Sequence, residues 1–343
     1  MLKKIIIGLF IVGVIAAGVA YHFYGKYFLP NVPAELTSEY INIPTNSSYD
    51  QVLSLLSNGG FLIDADAFTE LAERMAYKRN TMRSGRYKIK PNWSNYDLVR
   101  HLRGGEQAPV KVTFSMARVS EEVAGKVAEF IEADSSQLVA IFQDTKYLQS
   151  IDFTPETLMS LFVPNTYEMY WNSSPEAFMK RMLKEHDKFW GKNSRLAKAE
   201  KLGMTPAEVY TIASIVERET NHKSEKPRMA GVYVNRLKRG IPLQADPTAV
   251  FATRDFSARR VLNKHIEFDS PYNTYMYAGL PPGPISMASI SSIDGVLNAE
   301  DHKYIYFCAY GDGTGKHAFA KTLAQHNQNA RNYAANLRKR GKR

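Results

Sequence analysis

Sixteen consecutive residues, Ile5 to Ala20, carry no polar side chain, and the apolar stretch runs on to Tyr24 with only His22 interrupting it. About twenty helical residues span a bilayer's hydrocarbon core, so this run predicts a transmembrane helix. Lys3 and Lys4 precede it and place the short N-terminus on the cytoplasmic side. Tyr21, Phe23, Tyr24, Tyr27 and Phe28 fit an aromatic belt at the opposite interface. A cleaved signal peptide competes, because Ala16 to Ala20 supplies small residues, but the apolar core is longer than usual for one. The expectation is an uncleaved single-pass anchor in the cytoplasmic (inner) membrane, with everything after about Tyr24 on the periplasmic or extracytoplasmic side.

The remainder has an ordinary globular composition, with 44% hydrophobic and 23% charged residues, and a length that suggests about two domains. The net charge of +10 raises the question of nucleic acid. Much of it sits in a tail where Arg338, Lys339, Arg340, Lys342 and Arg343 cluster, which equally suits anionic lipid or solvent. A lone cysteine, Cys308, rules out an internal disulfide and a Cys-based zinc site, and its apolar surroundings predict a buried strand residue.

Residues 29–39, with Pro30, Pro33 and Ser38, read as a linker. A weak repeat follows, in which Tyr49-Asp-x-Val-x-x-Leu55 closing at Gly59-Gly60 matches Tyr96-Asp-x-Val-x-x-Leu102 closing at Gly104-Gly105. Each copy follows a short β-like run and a serine suited to cap a helix, Ser47 or Ser48 in one and Ser94 in the other. This unit resembles a LysM-like module, a wall-binding fold; a small α+β domain that only positions the rest fits as well. From Arg118 to Trp190 the pattern is helical, with Val119, Val123, Val127, Phe130 and Ile131 on one stripe and a second helix starting at Ser174-Pro175. Between them Leu161 to Trp171 reads as a proline-interrupted loop dense in aromatics, suited to sugar stacking or to plain packing.

Thr205-Pro-Ala-Glu208 supplies an N-cap, a first-turn proline and a capping-box glutamate. Val209, Ile212, Ala213 and Val216 then share one face of an amphipathic helix about four turns long. Glu217 and Glu219 stand at its end, two residues apart and therefore about 160° apart around the axis, so they cannot serve one cleft together. The C-terminal dipole and apolar neighbours would raise the pKa of such a carboxyl, as a general acid needs. Surface glutamates, one paired with Arg218 or Lys223, explain the same spacing. Glu219 lies nearer the centre of the apolar stripe than Glu217.

Further on, Ser270 to Tyr275 and Leu280-Pro-Pro-Gly-Pro284 are stiff loops able to hold groups at a cleft rim. Gln244, Asp246, Asn273 and Thr274 offer hydrogen-bonding groups suited to the acetamido and hydroxyl groups of a glycan, or to turns. Tyr304 to Tyr310 and His317 to Ala320 read as a hairpin around Gly311 to Lys316. That turn is no phosphate loop, since Tyr310 stands where the first glycine is required and no Ser or Thr follows Lys316. A last helix runs from Thr322 to Leu337.

Ala213-Ser-Ile-Val-Glu-Arg-Glu219, Tyr233-Val-Asn-Arg-Leu237, Leu243-Gln-Ala-Asp-Pro-Thr248, Ser270-Pro-Tyr-Asn-Thr-Tyr275, Gly279-Leu-Pro-Pro-Gly-Pro-Ile285 and His317-Ala-Phe-Ala-Lys-Thr322 with His326-Asn327 occur in that order. Together they resemble the endolytic murein transglycosylases, the YceG-like family, over most of the chain from about Phe162. Asn165 stands where that family's pattern has Asp, and Ser286-Met-Ala288 replaces Asn-Pro. The resemblance implies that Glu217 is the catalytic acid/base, and that Asn235, Gln244, Asp246, Tyr272, Asn273 and Thr274 contact substrate. It also implies that no metal or cofactor takes part. The substrate would be the MurNAc-GlcNAc β-1,4 bond within peptidoglycan glycan strands, cut to 1,6-anhydro-MurNAc ends during wall elongation or strand termination. The partners would be the glycan, the inner membrane and the cell-wall synthesis machinery, and not nucleic acid.

The expected fold is α+β: an anchor at 1–28, a linker at 29–39, a LysM-like α+β domain at 40–113 and a larger mixed α+β catalytic domain at 114–343. Two other functions stay open, a non-catalytic wall-binding scaffold and a hydrolytic muramidase. The latter would need two carboxylates about 5 to 9.5 Å apart, with Asp246 and Glu219 as candidates for the second.

Overall fold

The computed structural model describes residues 1–258 and 260–341. It divides into two compact units. The first holds Met1–Val112 with the short segments Phe130–Glu132 and Glu168–Ser174; the second holds Thr113–Glu129, Ala133–Tyr167 and the chain from Pro175.

In the first unit, helix α1 (Leu2–Phe28) has 27 residues, none of them buried. At 1.5 Å per residue it is about 40 Å long, enough to cross a bilayer. It is the one helix among the described residues with the length and composition for that. Its last turn is tied down: Lys26 pairs with Glu70 at 2.9 Å, Tyr27 donates to the same carboxylate at 2.8 Å, and Asn95 donates to the Lys26 carbonyl at 2.8 Å. Residues 29–39 are irregular but fixed. The amides of Asn31 and Val32 both donate to the Trp93 carbonyl at 2.9 Å, and the Asn31 side chain bonds Asn95 at 2.6 Å.

Strand β1 (Tyr40–Ile43) pairs antiparallel with β2 (Gly85–Lys88), Tyr40 opposite Lys88. Between them lie α2 (Tyr49–Asn58) and α3 (Ala65–Arg74), and α4 (Asn95–Gly104) follows. Ser48 and Ser94 both close capping boxes, with Gln51 and Asp97. The two copies of the repeat converge on one core: Ile43, Val52 and Leu56 meet Ile89, Leu98, Val99 and Leu102. The first copy buries Leu56 where Leu55 is the residue matched to Leu102, and α3 is extra to it. Strand β3 (Val110–Phe114) pairs with β4 (Asn165–Met169), and the division into units falls within both strands. β4 replaces part of the loop expected from Leu161 to Trp171. Its neighbour Phe162 is fully buried against Phe114, Phe142 and Phe178, so packing, not sugar stacking, accounts for that ring.

The second unit is mostly helical: α5 (Ser120–Ala128), α6 (Ser135–Gln143), α7 (Thr145–Gln149), α8 (Pro175–Trp190), α9 (Arg195–Leu202), α10 (Pro206–Glu219), α11 (Lys226–Lys238), α12 (Asp246–Thr253), α13 (Asn263–Ile266), α14 (Ile290–Leu297) and α15 (Leu323–Lys339). The hairpin β5 (Tyr306–Ala309) and β6 (His317–Ala320) is present, Tyr306 opposite Ala320. Cys308 lies on β5 but is only half-buried. α15 returns to the hairpin, where Asn336 donates to the Tyr310 carbonyl at 2.7 Å; of the basic tail, Lys342 and Arg343 lie outside the described residues.

α10 is the centre of this unit. Thr205 and Glu208 close the expected capping box. The helix is not amphipathic, however: every residue from Val209 to Val216 is buried. A helix with no solvent face belongs in a core. Its polar residues are tolerated because each is bonded. Thr211 donates to the Ala207 carbonyl at 2.8 Å, Ser214 to the Thr211 carbonyl at 2.7 Å, and Tyr210 to the Phe162 carbonyl at 2.7 Å. The loop after Leu280 is then hung on this helix, since the Ile285 amide donates to Ser214 at 3.0 Å and the Ala288 amide to Tyr210 at 3.1 Å. Gly283 is required there, because a Cβ would stand 1.9 Å from the Glu156 carbonyl oxygen.

Candidate functional site

The two glutamates at the end of α10 do point to different surroundings, as their spacing demands. Glu217 turns into the interior. Its Oε2 accepts from Lys226 Nζ at 2.9 Å, from the hydroxyls of Ser289 and Ser292 at 2.5 Å each, and from the Ser289 amide at 3.3 Å. The Lys226 side chain is 4% exposed and that of Glu217 is 9% exposed. Lys226 also reaches Ser289 at 3.1 Å and Ser291 at 3.0 Å. Burial works to raise the pKa of Glu217, but the serine donors and the Lys226 ammonium together outweigh it and hold the carboxyl below its ordinary value. The raised pKa expected for Glu217 is therefore corrected. The helix dipole and apolar neighbours lose to four donors, all of them beyond α10 in sequence. Lys226, rather than Arg218 or Lys223, is its partner.

Glu219 has the character expected of the acid. It accepts from the Tyr233 hydroxyl at 2.8 Å. Burial, reinforced by the negative charge of Asp246 and only partly offset by Tyr233, pushes its carboxyl up to about 7. Asp246 opens α12, is exposed, and accepts from the Tyr275 hydroxyl. It lines a cleft of about 520 Å³ whose walls include Arg118, Arg218, Val250, Phe251, Phe256 and Ile285. The cleft thus combines a carboxylate, apolar and aromatic faces and cationic groups, with a near-neutral carboxyl coupled to it through Asp246.

Of the other residues predicted to touch substrate, Gln244 is exposed and Tyr272 partly buried against Phe251, ring centroids 4.8 Å apart. Gln244 has φ 51, an uncommon conformation for a residue with a Cβ. It is held by its amide to the Thr274 carbonyl at 3.0 Å and by Arg236 on its side-chain oxygen at 3.1 Å. Asn273, Thr274 and Asn235 are engaged with the protein itself. Asn273 is fully buried, donating to the carbonyls of His265, Ile266 and Phe268 at 3.2, 3.0 and 2.8 Å. Thr274 is 1% exposed and bonds Ala245 and Thr248 at 3.1 and 2.8 Å. Asn235 donates to the carbonyls of His302 and Tyr304 at 2.7 and 3.0 Å. These side chains spend their hydrogen bonds on loops, because irregular backbone must be satisfied when buried. Tyr233 and Tyr275 escaped sequence reasoning, although both stand inside the motifs quoted above.

Fold and site together define a mixed α+β protein with an apolar N-terminal helix and, at the end of a buried helix, a carboxyl whose pKa is raised to about 7. The chain belongs to the YceG-like family, whose model matches residues 41–332. It is 29% identical over 329 residues to the endolytic murein transglycosylase of Bacillus subtilis (strain 168), covering 90% of this chain and 89% of that protein. It is 27% identical over 321 residues to the endolytic murein transglycosylase of Streptococcus pneumoniae (serotype 2, strain D39), covering 84% of this chain and 57% of that longer protein. A crystal structure of a YceG-like protein from Listeria monocytogenes matches with a TM-score of 0.57 at 26% identity, covering 84% of this chain and 98% of that one.

Proposed function

We propose that this protein is a membrane-anchored lytic transglycosylase that cuts MurNAc-GlcNAc β-1,4 bonds within peptidoglycan strands, with Glu219 as its acid/base. The observation that carries the reading is the Glu219 carboxyl poised at about 7 beside the cleft carboxylate Asp246. A group that titrates near neutrality can both give and take a proton. Glu219, oriented by Tyr233, protonates the leaving glycosidic oxygen. The substrate's acetamido group shields C1 as positive charge develops, with Asp246 as a nearby negative charge. The substrate's own C6 hydroxyl then attacks C1, losing its proton to Glu219, so water is not consumed. Glu217 keeps a structural role, since its donors leave it no proton to give.

The Glu219–Asp246 pair also supports a hydrolytic reading, in which Asp246 activates water or attacks directly. Product masses from purified glycan strands decide between them. Transglycosylation gives 1,6-anhydro ends lighter by one water than hydrolytic reducing ends, and reducing ends from the wild type would overturn the proposal. No cleavage at all would favour the scaffold reading.

Lys3 and Lys4 before the apolar run support an N-terminus in the cytoplasm and the rest across the inner membrane. Protease added outside spheroplasts should degrade the chain down to a fragment about the size of α1; recovery of a shortened soluble species would instead show cleavage. For the smaller unit, with its LysM-like resemblance, a cleft of about 720 Å³ lined by Trp93, Lys88, Lys90, Arg100 and His101 supports wall binding. Trp93→Ala should weaken retention on insoluble peptidoglycan, and undiminished pull-down would count against this role.

A further inference from the structure

Arg118 and Arg218 line the cleft that holds Asp246, with Arg260 a third cation there, and the proton-transfer scheme uses none of them. The backbone at Arg118 is fixed on both sides: its amide donates to Glu122 at 2.7 Å, and the Ala117 carbonyl accepts from the Met287 amide at 2.7 Å. Its guanidinium lies over the Phe256 ring, 4.9 Å from the centroid. Arg218 is exposed and stands next to Glu219 in sequence, at the last turn of α10. The arginine ion pairs among the described residues belong to Arg74, Arg181, Arg195 and Arg228, so none of the three cleft arginines is paired with a carboxylate. Partial burial and then the charge of Arg118 both lower the pKa of Arg218, with Glu217 opposing; the two cations feel each other. Like charges facing one cleft repel each other, and an oxyanion placed between them relieves that repulsion. The planar guanidinium fork fits a carboxylate or phosphate in two parallel hydrogen bonds.

We propose that Arg118 and Arg218 form a subsite for an oxyanion substituent of the glycan, a carboxylate or a phosphate, with the sugar that bears it set against Phe256. The subsite makes the enzyme selective for strands carrying such charges over neutral polymers of the same sugars. This deepens the glycan-cleaving reading and rests on it, so binding and chemistry are measured separately.

Full-length protein in detergent, in the Glu219→Gln background to suppress turnover, is titrated with soluble strands in three forms. These are untreated strands, strands whose carboxylates have been coupled to methylamine as neutral amides, and strands stripped of phosphodiester-linked polymer. Loss of the recognised anion should raise Kd about tenfold, the scale of one charge-assisted bidentate contact. A rise confined to the amidated strands assigns a carboxylate, and one confined to the stripped strands assigns a phosphate. The pair Arg118→Gln with Arg218→Gln should show the raised Kd on untreated strands and no further rise on treated ones, while Arg118→Lys with Arg218→Lys retains part of the discrimination. Equal Kd on all three forms with both arginines present, or undiminished discrimination by the Gln pair, would overturn the subsite. The comparison among the three strand forms needs no variant at Arg118 or Arg218, so misfolding of the arginine variants cannot mask the result. Absence of anhydro products would sink the cleavage reading yet leave this binding test decisive.

Discussion

Glu219→Gln should lose about 10²- to 10⁴-fold in turnover on purified glycan strands, the range attributed to a positioned acid/base, and should melt close to the wild type at acid pH, where both side chains are neutral. An amide keeps the acceptor for the Tyr233 hydroxyl but can neither give nor take the proton. The pH profile carries the same assignment with a definite sign. Glu219 must start protonated and its carboxyl titrates at about 7, so kcat/KM should fall as pH rises through that value. In Glu219→Gln the residual rate should lose that limb. Turnover of Glu219→Gln within a few-fold of the wild type would remove Glu219 from the mechanism.

The opposite pattern is expected at Glu217. Glu217→Gln leaves the Lys226 ammonium buried without a counter-charge, and breaking such a pair costs about 3–5 kcal/mol. In a unit of more than 150 residues that lowers Tm by about 10 °C. Combining it with Lys226→Met should recover much of the loss, because two neutral side chains leave no orphaned charge. The linkage follows from the direction of the shift. A carboxyl whose folded pKa is depressed stabilises fully above its unfolded value and loses that contribution as pH falls through the folded one. Glu219 works the other way: its raised folded pKa makes the fold lose stability as pH climbs from the ordinary carboxylate range to about 7. Thermal melts of both variants across pH check this. A Glu217→Gln that melts like the wild type, or one that is folded yet as inactive as Glu219→Gln, would reverse the two roles.

Local chemistry was legible where neighbours in sequence suffice. The uncharged run that forms α1, the capping boxes at Ser48, Ser94 and Thr205, and the hairpin at Gly311 to Lys316 all depend on residues within a turn or two of one another. The opposed directions of Glu217 and Glu219 were legible as well, since 100° per residue fixes them. Within those motifs Asn235, Asn273 and Thr274 bond the backbone of neighbouring loops, contacts that sequence neighbours do not reveal.

What the sequence by itself determined is the membrane-length helix, the capped helices and the hairpin, and the placing of one acid at a time on each side of α10. Which acid can move a proton was decided by tertiary structure. A pKa depends on solvent and charges that arrive from far along the chain. Lys226, Ser289 and Ser292 close on Glu217 from later in the chain and hold its pKa down, while at Glu219 partial burial, with the charge of Asp246 and against the Tyr233 bond, holds its pKa up.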